Sequence, residues 1–433
     1  MKAIYSILVI LLFGVVGYAQ RVEKSTKGPF LLKNAMIHTV TKGSFKGDIL
    51  IQGDKISEVE TSINTLMPVT TIDCTGKHVY PGFIDAGTQL GLSEIEAVSI
   101  TNDFNEIGEF IPHMQALTAV NPNAVAIPVT RTNGVTSVLT VPGGGRFPGT
   151  AALINLHGYT PEQMYAGFKG VVMNFPSSGR RGRWDRRSEE DVKKDEEKAI
   201  KKLDELWENV VLYAKIDSAA MANGKKPEIV QPEMEAMLDV VRGKKLLLIE
   251  VNKKEDIKSA IAWVDKTKVK AVLTGVSEGF AVASEIAKSK IPVITGPVLE
   301  TPRRDYDKYD TPYANAGIMQ KAGVKVAIRT DDSENVRNLP FHAGFAAAYG
   351  MGIEEALKAI TINPAEIFGV SDKYGSIEKG KMANLFISDG DPFETKTNIT
   401  ALFISGWNVP LENRHTLLYE EFLQREPGGT GNK

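Results

Sequence analysis

Glu250 and Asp331 are the acidic side chains best placed for chemistry in this 433-residue chain. Each stands at the end of an apolar run or just past it, LLLIEV at 246–251 and GVKVAIRTDD at 323–332. A carboxylate at the end of a buried strand can take a proton from water or hold a hard cation through oxygen. Gln89, in YPGFIDAGTQLG at 80–91, brings an amide oxygen to a similar position. Together the three could hold a divalent ion. The histidines suggest no conventional metal centre. His38, His78, His113, His157, His342 and His415 are scattered, with no H-x-H, H-E-x-x-H or cysteine cluster. His113, His157 and His342 could still lean towards the same site. PGGGRFPG at 142–149 lacks the Lys-Ser/Thr of a phosphate-binding loop and reads as a rim loop. Glu94, Glu96, Asp103 and Glu106 either meet a cationic substrate or form a solvated loop.

Strands must position these residues. Residues 30–80 alternate in the strand manner between Gly and Asp turns. From residue 83, eight apolar runs recur: FIDAG, VTSVLTV, AALINL, GVVMNF, KLLLIEV, AVLTGV, IPVITGP and KVAIRT. Nearly continuous apolar runs suit parallel strands buried on both faces. Helical stretches such as PEMEAMLDVVRG and KEDIKSAIAWVDK lie between them. Eight such units over roughly 270 residues predict an α/β fold, a (β/α)8 TIM-type barrel, with a doubly wound open sheet as the alternative. Strand rhythm returns in GSIEKGKMANLFISDG and NITALFISGWNV. The expected organisation is a barrel over 80–375, with a charged helical insertion at about 180–225, and a small composite β-sandwich from 28–79 plus 376–425. Chemistry in such a barrel sits at the C-terminal ends of its strands.

YPGFIDAGTQLG resembles the opening strand of the amidohydrolase superfamily, whose members begin their barrel with P-G-F-I-D-x-H-x-H. TNDFNE, TRTNGVTSV and VPGGG resemble its exported bacterial, imidazolonepropionase-like members. GVKVAIRTDD, EEALKAITINPAEIFGV and GSIEKGKMANLFISDGDP resemble its eighth strand, eighth helix and returning sandwich. The resemblance covers nearly the whole chain after the first residues. It implies one or two metal ions that activate a water for attack on a C–N bond, with the strand-eight Asp carrying the proton. The ligands it implies are two His on strand one, a carboxylated Lys or a Glu on strand four, and single His on strands five and six.

Matched position by position, only Asp331 of that set is kept. Gly87 and Gln89 stand at the strand-one histidines, Val172 at the lysine, Glu250 at the strand-five histidine, and Thr274 and Gly275 at the strand-six one. Lys169 lies three residues before Val172 and would face away. Two functions stay open. The first is a hydrolase of non-peptide or cyclic amides, with Asp331 catalytic and a reduced zinc or manganese site. The second is a non-catalytic protein that binds a small molecule at the barrel mouth through Gln89, Glu250, Gly87 and Gly275, or that pairs with an intact relative. The resemblance also implies a homo-oligomer.

Composition narrows the partners. Lys+Arg 51 against Asp+Glu 53 leaves a net charge of -2 with 42% hydrophobic residues. That excludes a disordered chain and gives no basic excess for nucleic acid. MKAIYSILVILLFGVVGYAQ has a positive start, an apolar core and small residues before Gln20. It reads as a signal peptide over 1–19, so the mature protein is expected to be exported, periplasmic or secreted, with no membrane segment left. Cys74, the single cysteine, reads as a small buried hydrophobe. Five Arg between 180 and 187 surround Trp184, and a capping box at Ser188 and Asp191 opens a long charged helix. The Arg cluster reads as balanced by its own acidic neighbours.

Overall fold

All eight apolar runs form strands of one sheet: β1 (Phe83–Thr88), β2 (Val135–Thr140), β3 (Gly149–Asn155), β4 (Tyr165–Asn174), β5 (Leu247–Val251), β6 (Ala271–Gly275), β7 (Val293–Thr295) and β8 (Val326–Ile328). The computed structural model describes residues 24–425 apart from 180–184, 225–229, 303, 305 and 306. The expected signal peptide and the start of the Arg-rich segment, with Arg180, Arg181, Arg183 and Trp184, lie outside the described residues. The architecture is a nearly closed TIM-type barrel. β8 lies beside β1 and is stitched to it beyond the strand ends: Asp331 N–H donates to Gly87 O at 3.0 Å, and Gln89 N–H to Asp332 O at 3.2 Å.

One strand departs from the expected parallel order. β3 pairs antiparallel with both β2 and β4. Apolar pattern carries no direction, but connection length does. A parallel pair needs a crossover of about a dozen residues or more. Residues 141–148 and 156–164 are too few for one, so the chain turns back twice here.

Side chains along these strands alternate. Ile84, Leu139, Val172, Leu248, Ile294 and Ala327 fill the barrel interior, and Phe368 and Tyr374 pack against them. Their sequence neighbours Phe83, Val138, Val171, Leu247, Val293 and Val326 belong to a separate core shared with the surrounding helices. This period of two fixes which side chains reach the mouth. The connection from β4 to β5 holds α1 (Glu189–Ala222), capped by Ser188 Oγ, which accepts Asp191 N–H at 3.1 Å. Trp207 of α1 meets Trp263 edge-on at 5.4 Å, and Arg187 pairs with Asp185 and Asp195. No helix among the described residues is long and apolar enough to cross a membrane.

A second sheet of nine strands joins the two ends of the chain. His78–Pro81 pairs with Phe30–His38 on one side and with Leu385–Ser388 on the other. Phe30, Leu32, Ile49, Ile51 and Phe403 form its core, where Cys74 is also buried. Burial pushes the Cys74 thiol up to about 11, so it stays protonated and acts as an apolar group.

Candidate functional site

The period that turns Ala327 inward also turns Arg329 and Asp331 inward, and on β5 it sends Glu250 up above Leu248. Glu250 and Arg329 meet as a two-pronged pair. Arg329 Nη1–H donates to Glu250 Oε2 at 2.9 Å and Nη2–H to Oε1 at 3.1 Å, while Nη2 also reaches Asp331 Oδ2 at 3.0 Å. Thr274 Oγ1–H donates to Glu250 Oε2 and Asn252 Nδ2–H to Oε1, both at 2.8 Å. Four donors on two carboxylate oxygens fill the acceptor sites of Glu250. The Arg329 side chain is only 7% exposed. Burial alone would lower its pKa, but the charges of Glu250 and Asp331 hold it protonated, above its usual range. Burial likewise opposes the Glu250 charge, and Arg329 with the hydrogen bonds from Thr274 and Asn252 outweighs it, keeping that carboxyl below its usual range.

The two glycines make room for this pair. A Cβ on Gly87 would lie 2.9 Å from Arg329 Cδ, and one on Gly275 would lie 2.4 Å from Glu250 Oε1. Gly275 also sits at φ +81°, where a side chain is strained. Neither glycine lines the mouth cavity; both stand behind the ion pair instead. That cavity is about 220 Å³ and is lined by Gln89, Asn174 and Asp331 among polar residues and by Leu139, Val141 and Val172 among apolar ones. Asn174 directs its N–H groups to Gly144 O and Gly145 O at 2.9 and 2.7 Å, which leaves its Oδ1 to accept. Asp331 holds φ +56°, a left-handed conformation that costs a non-glycine residue about 1–2 kcal/mol. Its N–H bond to Gly87 O maintains that turn.

Other expected contributors lie elsewhere. His157 packs against Trp407 at 5.7 Å, and His342 Nδ1 accepts Val298 N–H at 3.1 Å. Burial pushes both imidazoles down to about 4. His113 also stays out of the mouth cavity. Lys169 Nζ donates to Gln115 Oε1 at 3.1 Å, away from the cavity. Glu94, Glu96, Asp103 and Glu106 are exposed and do not line it, which favours the solvated loop. GVSEG at 275–279 has the G-x-S-x-G spacing of a nucleophile elbow, between a strand and a helix, and the sequence reading missed it. Ser277 Oγ–H donates to Asn252 Oδ1 at 3.0 Å, and no imidazole contacts it among the described residues.

Asp85, like Arg329, is a residue that sequence reasoning missed. It is fully buried and accepts Gly87 N–H at 3.0 Å, Thr330 N–H at 3.2 Å and Thr330 Oγ1–H at 2.5 Å. Burial pushes its pKa up to about 7, with the hydrogen bonds from Thr330 and Gly87 pulling part of the way back. A carboxyl whose folded pKa is raised stabilises the fold below the unfolded pKa and loses that contribution as pH rises to about 7. Asp85→Asn cannot ionise. The difference in urea stability between wild type and this variant is therefore expected to drift in the variant's favour from pH 5 to 8, by up to about 1.4 kcal/mol per unit. Parallel pH curves for the two proteins would remove the assignment.

The donor set does not fit a divalent ion. Gly87, Val172 and Gly275 supply no ligand atom, and the oxygens of Glu250 are taken. A guanidinium that stays protonated stands between the two carboxylates an ion would need. Among the described residues, no group of three or more His, Cys, Asp or Glu side chains converges.

Comparison with known proteins matches this geometry to a family. The sequence profile of the Amidohydrolase family matches residues 78–409. The solved structure of an amidohydrolase from Thermotoga maritima superposes with a TM-score of 0.78 at 29% identity, over 89% of this chain and 100% of that one. Imidazolonepropionase of Clostridium tetani is 36% identical over 107 residues, 23% of this chain and 26% of that protein. The Flavobacterium johnsoniae imidazolonepropionase is 43% identical over 81 residues, 18% of this chain and 20% of that protein. The chain therefore aligns with about a quarter or less of the length of these curated relatives. With the profile running from the composite sheet through the whole barrel and back, the chain belongs to the amidohydrolase family.

Proposed function

We propose that the barrel mouth is a metal-independent site that binds a small polar ligand and does not hydrolyse it. The reading is carried by Arg329, buried and paired with both Glu250 and Asp331. Metal-assisted hydrolysis draws its rate from a water made acidic by the ion. A guanidinium has no open coordination position and cannot activate water in that way. The mouth still has ligand-binding groups. Oδ1 of Asp331, which has no hydrogen bond among the described residues, Oδ1 of Asn174 and the Gln89 amide supply mainly acceptors, beside an apolar wall. They suit a ligand with N–H donors and a compact apolar body, such as a cyclic amide or an acylated dipeptide. The relatives named imidazolonepropionase favour the hydrolase reading instead, over a short aligned stretch. The N-terminal apolar segment supports action outside the cytoplasm.

Two measurements on one preparation decide between these readings. Elemental analysis of protein purified without chelators is expected to give no stoichiometric zinc or manganese, before or after incubation with either ion. Calorimetry with hydantoin or an N-acetylated dipeptide is expected to show saturable binding without product, lost in Asp331→Ala. A full equivalent of metal together with turnover would overturn the binding reading.

A further inference from the structure

A different constellation sits on the first hairpin of the chain, away from the barrel mouth. His38 ends one strand and Ser44 begins the next, facing each other across the ladder. Ser44 Oγ lies 2.9 Å from His38 Nδ1, and His38 Nε2 lies 2.9 Å from His78 Nδ1. The turn between them is stiff. Thr39 N–H and Oγ1–H both donate to Gly43 O, and Lys42 N–H donates to Thr39 Oγ1. Val40 is held at φ +73°, which is rare for a β-branched residue and marks strain kept by its surroundings. Tyr80 stacks on His38 with ring centres 4.1 Å apart and planes within 4°. All of this borders a cavity of about 470 Å³ between sheet and barrel, lined by His38, Ser44, Tyr80, Lys358, Asp391 and Phe393 among others. It shares no lining residue with the mouth.

We propose that Ser44, His38 and His78 form a second site, a nucleophile, its base and an orienting group, that hydrolyses small carboxylic esters. This inference is independent of the reading of the mouth. The two contacts of His38 are compatible with one neutral tautomer: Nε2–H donates to His78 Nδ1, and Nδ1 accepts the Ser44 hydroxyl proton. Burial first, and then the neighbouring His78, push the His38 imidazole down to about 4, so it is unprotonated and able to accept a proton at neutral pH. The charge of Asp391 opposes that shift, and together with the Tyr80 face it favours the imidazolium formed during reaction.

The step balances. Ser44 Oγ bonds to the ester carbonyl carbon as the bond to the alcohol oxygen breaks. The Oγ proton passes to His38 Nδ1 and then to the leaving alcohol. Water then gives a proton to the same nitrogen as its oxygen bonds to the acyl carbon; the bond to Ser44 Oγ breaks, His38 returns the proton to Oγ, and the acid is released. Among the described residues Lys358 is the one Lys or Arg on the cavity wall; its Nζ also donates to Glu355 Oε1 at 2.7 Å, and its remaining N–H groups are the donors proposed for the developing oxyanion, while Leu357 and Phe393 line the wall proposed for the acyl group.

The test uses the full chain. A fluorophosphonate probe forms an Oγ–P bond with the serine and releases fluoride, and the proton leaves through His38. Peptide mapping is expected to place one adduct on Ser44. Labelling and hydrolysis of p-nitrophenyl butyrate are expected to fall about 10²–10⁴-fold in Ser44→Ala and in His38→Gln. His78→Phe keeps the ring but removes its nitrogens. As His78 is a positioning residue, that variant is expected to shift the pH midpoint of labelling, which burial, His78 and Asp391 govern, with Tyr80, Lys358 and Glu354 lining the same cavity as His38. Ser44 is exposed and its truncation removes one hydroxyl, so an unchanged urea midpoint separates lost chemistry from lost fold. No adduct on Ser44, or labelling of His38→Gln at the wild-type rate, overturns the proposal.

Discussion

Replacing Arg329 with alanine is expected to destabilise the fold by about 3–5 kcal/mol at neutral pH and to reverse the pH response of the site. The size follows from what is left behind. Glu250 would keep only Thr274 and Asn252 as donors, and Asp331 would lose the only hydrogen bond its carboxylate makes among the described residues. In the wild type, the Glu250 carboxyl lies below its usual range. Its contribution is therefore present above the unfolded pKa and is lost as pH falls through the folded one. Without the guanidinium, burial dominates and the folded pKa rises above the unfolded value. The contribution then has the opposite sign, greatest in acid and lost as pH rises. Urea midpoints between pH 4.5 and 8 should show the gap between the two proteins narrowing on acidification. A gap of constant size, or one under about 1 kcal/mol, would mean that Arg329 does not hold these carboxylates.

The second large effect is a coupling. Gly87→His restores the residue type that the family resemblance places on strand one. Its Cβ alone would lie 2.9 Å from Arg329 Cδ, and the ring needs the space that the arginine side chain fills. Overpacking of this kind costs about 1–3 kcal/mol, and displacing Arg329 adds the loss described above. In an Arg329→Ala background the space is vacant, so most of the cost of the histidine should disappear. The double-mutant cycle is expected to give a coupling of about 2 kcal/mol or more, and additive losses would falsify the claim that Gly87 exists to admit Arg329. The double variant is still expected to bind no stoichiometric zinc, because Val172 and Gly275 supply no ligand atoms.

Much of this was legible in the residues. All eight strands stand where apolar runs mark them, because burial on both faces demands such runs. The reversal of β3 was legible too, but in a different place: eight residues, PGGGRFPG less its last glycine and with Val141 before it, cannot make a crossover. The site was half legible. Asp331, Glu250 and Gln89 do stand at the mouth. Arg329 carried no signal in a metal-ligand pattern, because a guanidinium is not a metal ligand. A count of two back from Asp331 places Arg329 on the same inward face, and glycines at two histidine positions leave room for a bulky side chain. Asp85 was hidden differently. It belongs to the motif that carries the resemblance, yet its titration depends on burial that no local pattern reveals.

The antiparallel turn of β2, β3 and β4 also bears on how the chain reaches its native state. These strands pair with their sequence neighbours through connections of a few residues, so the search that joins them is short. Closure of β8 on β1 has the opposite character. Gly87 and Asp331 are separated by most of the barrel, and so are Ile84 and Ile360, which also share a backbone bond. The composite sheet is more distant still, since His78–Pro81 must wait for Leu385–Ser388. The β2–β3–β4 unit is therefore the natural early nucleus. The clasp between Gly87 and Asp331, with the charged pair beneath it, forms late. Substitutions in β3 are then expected to slow refolding, whereas those at Arg329 mainly hasten unfolding.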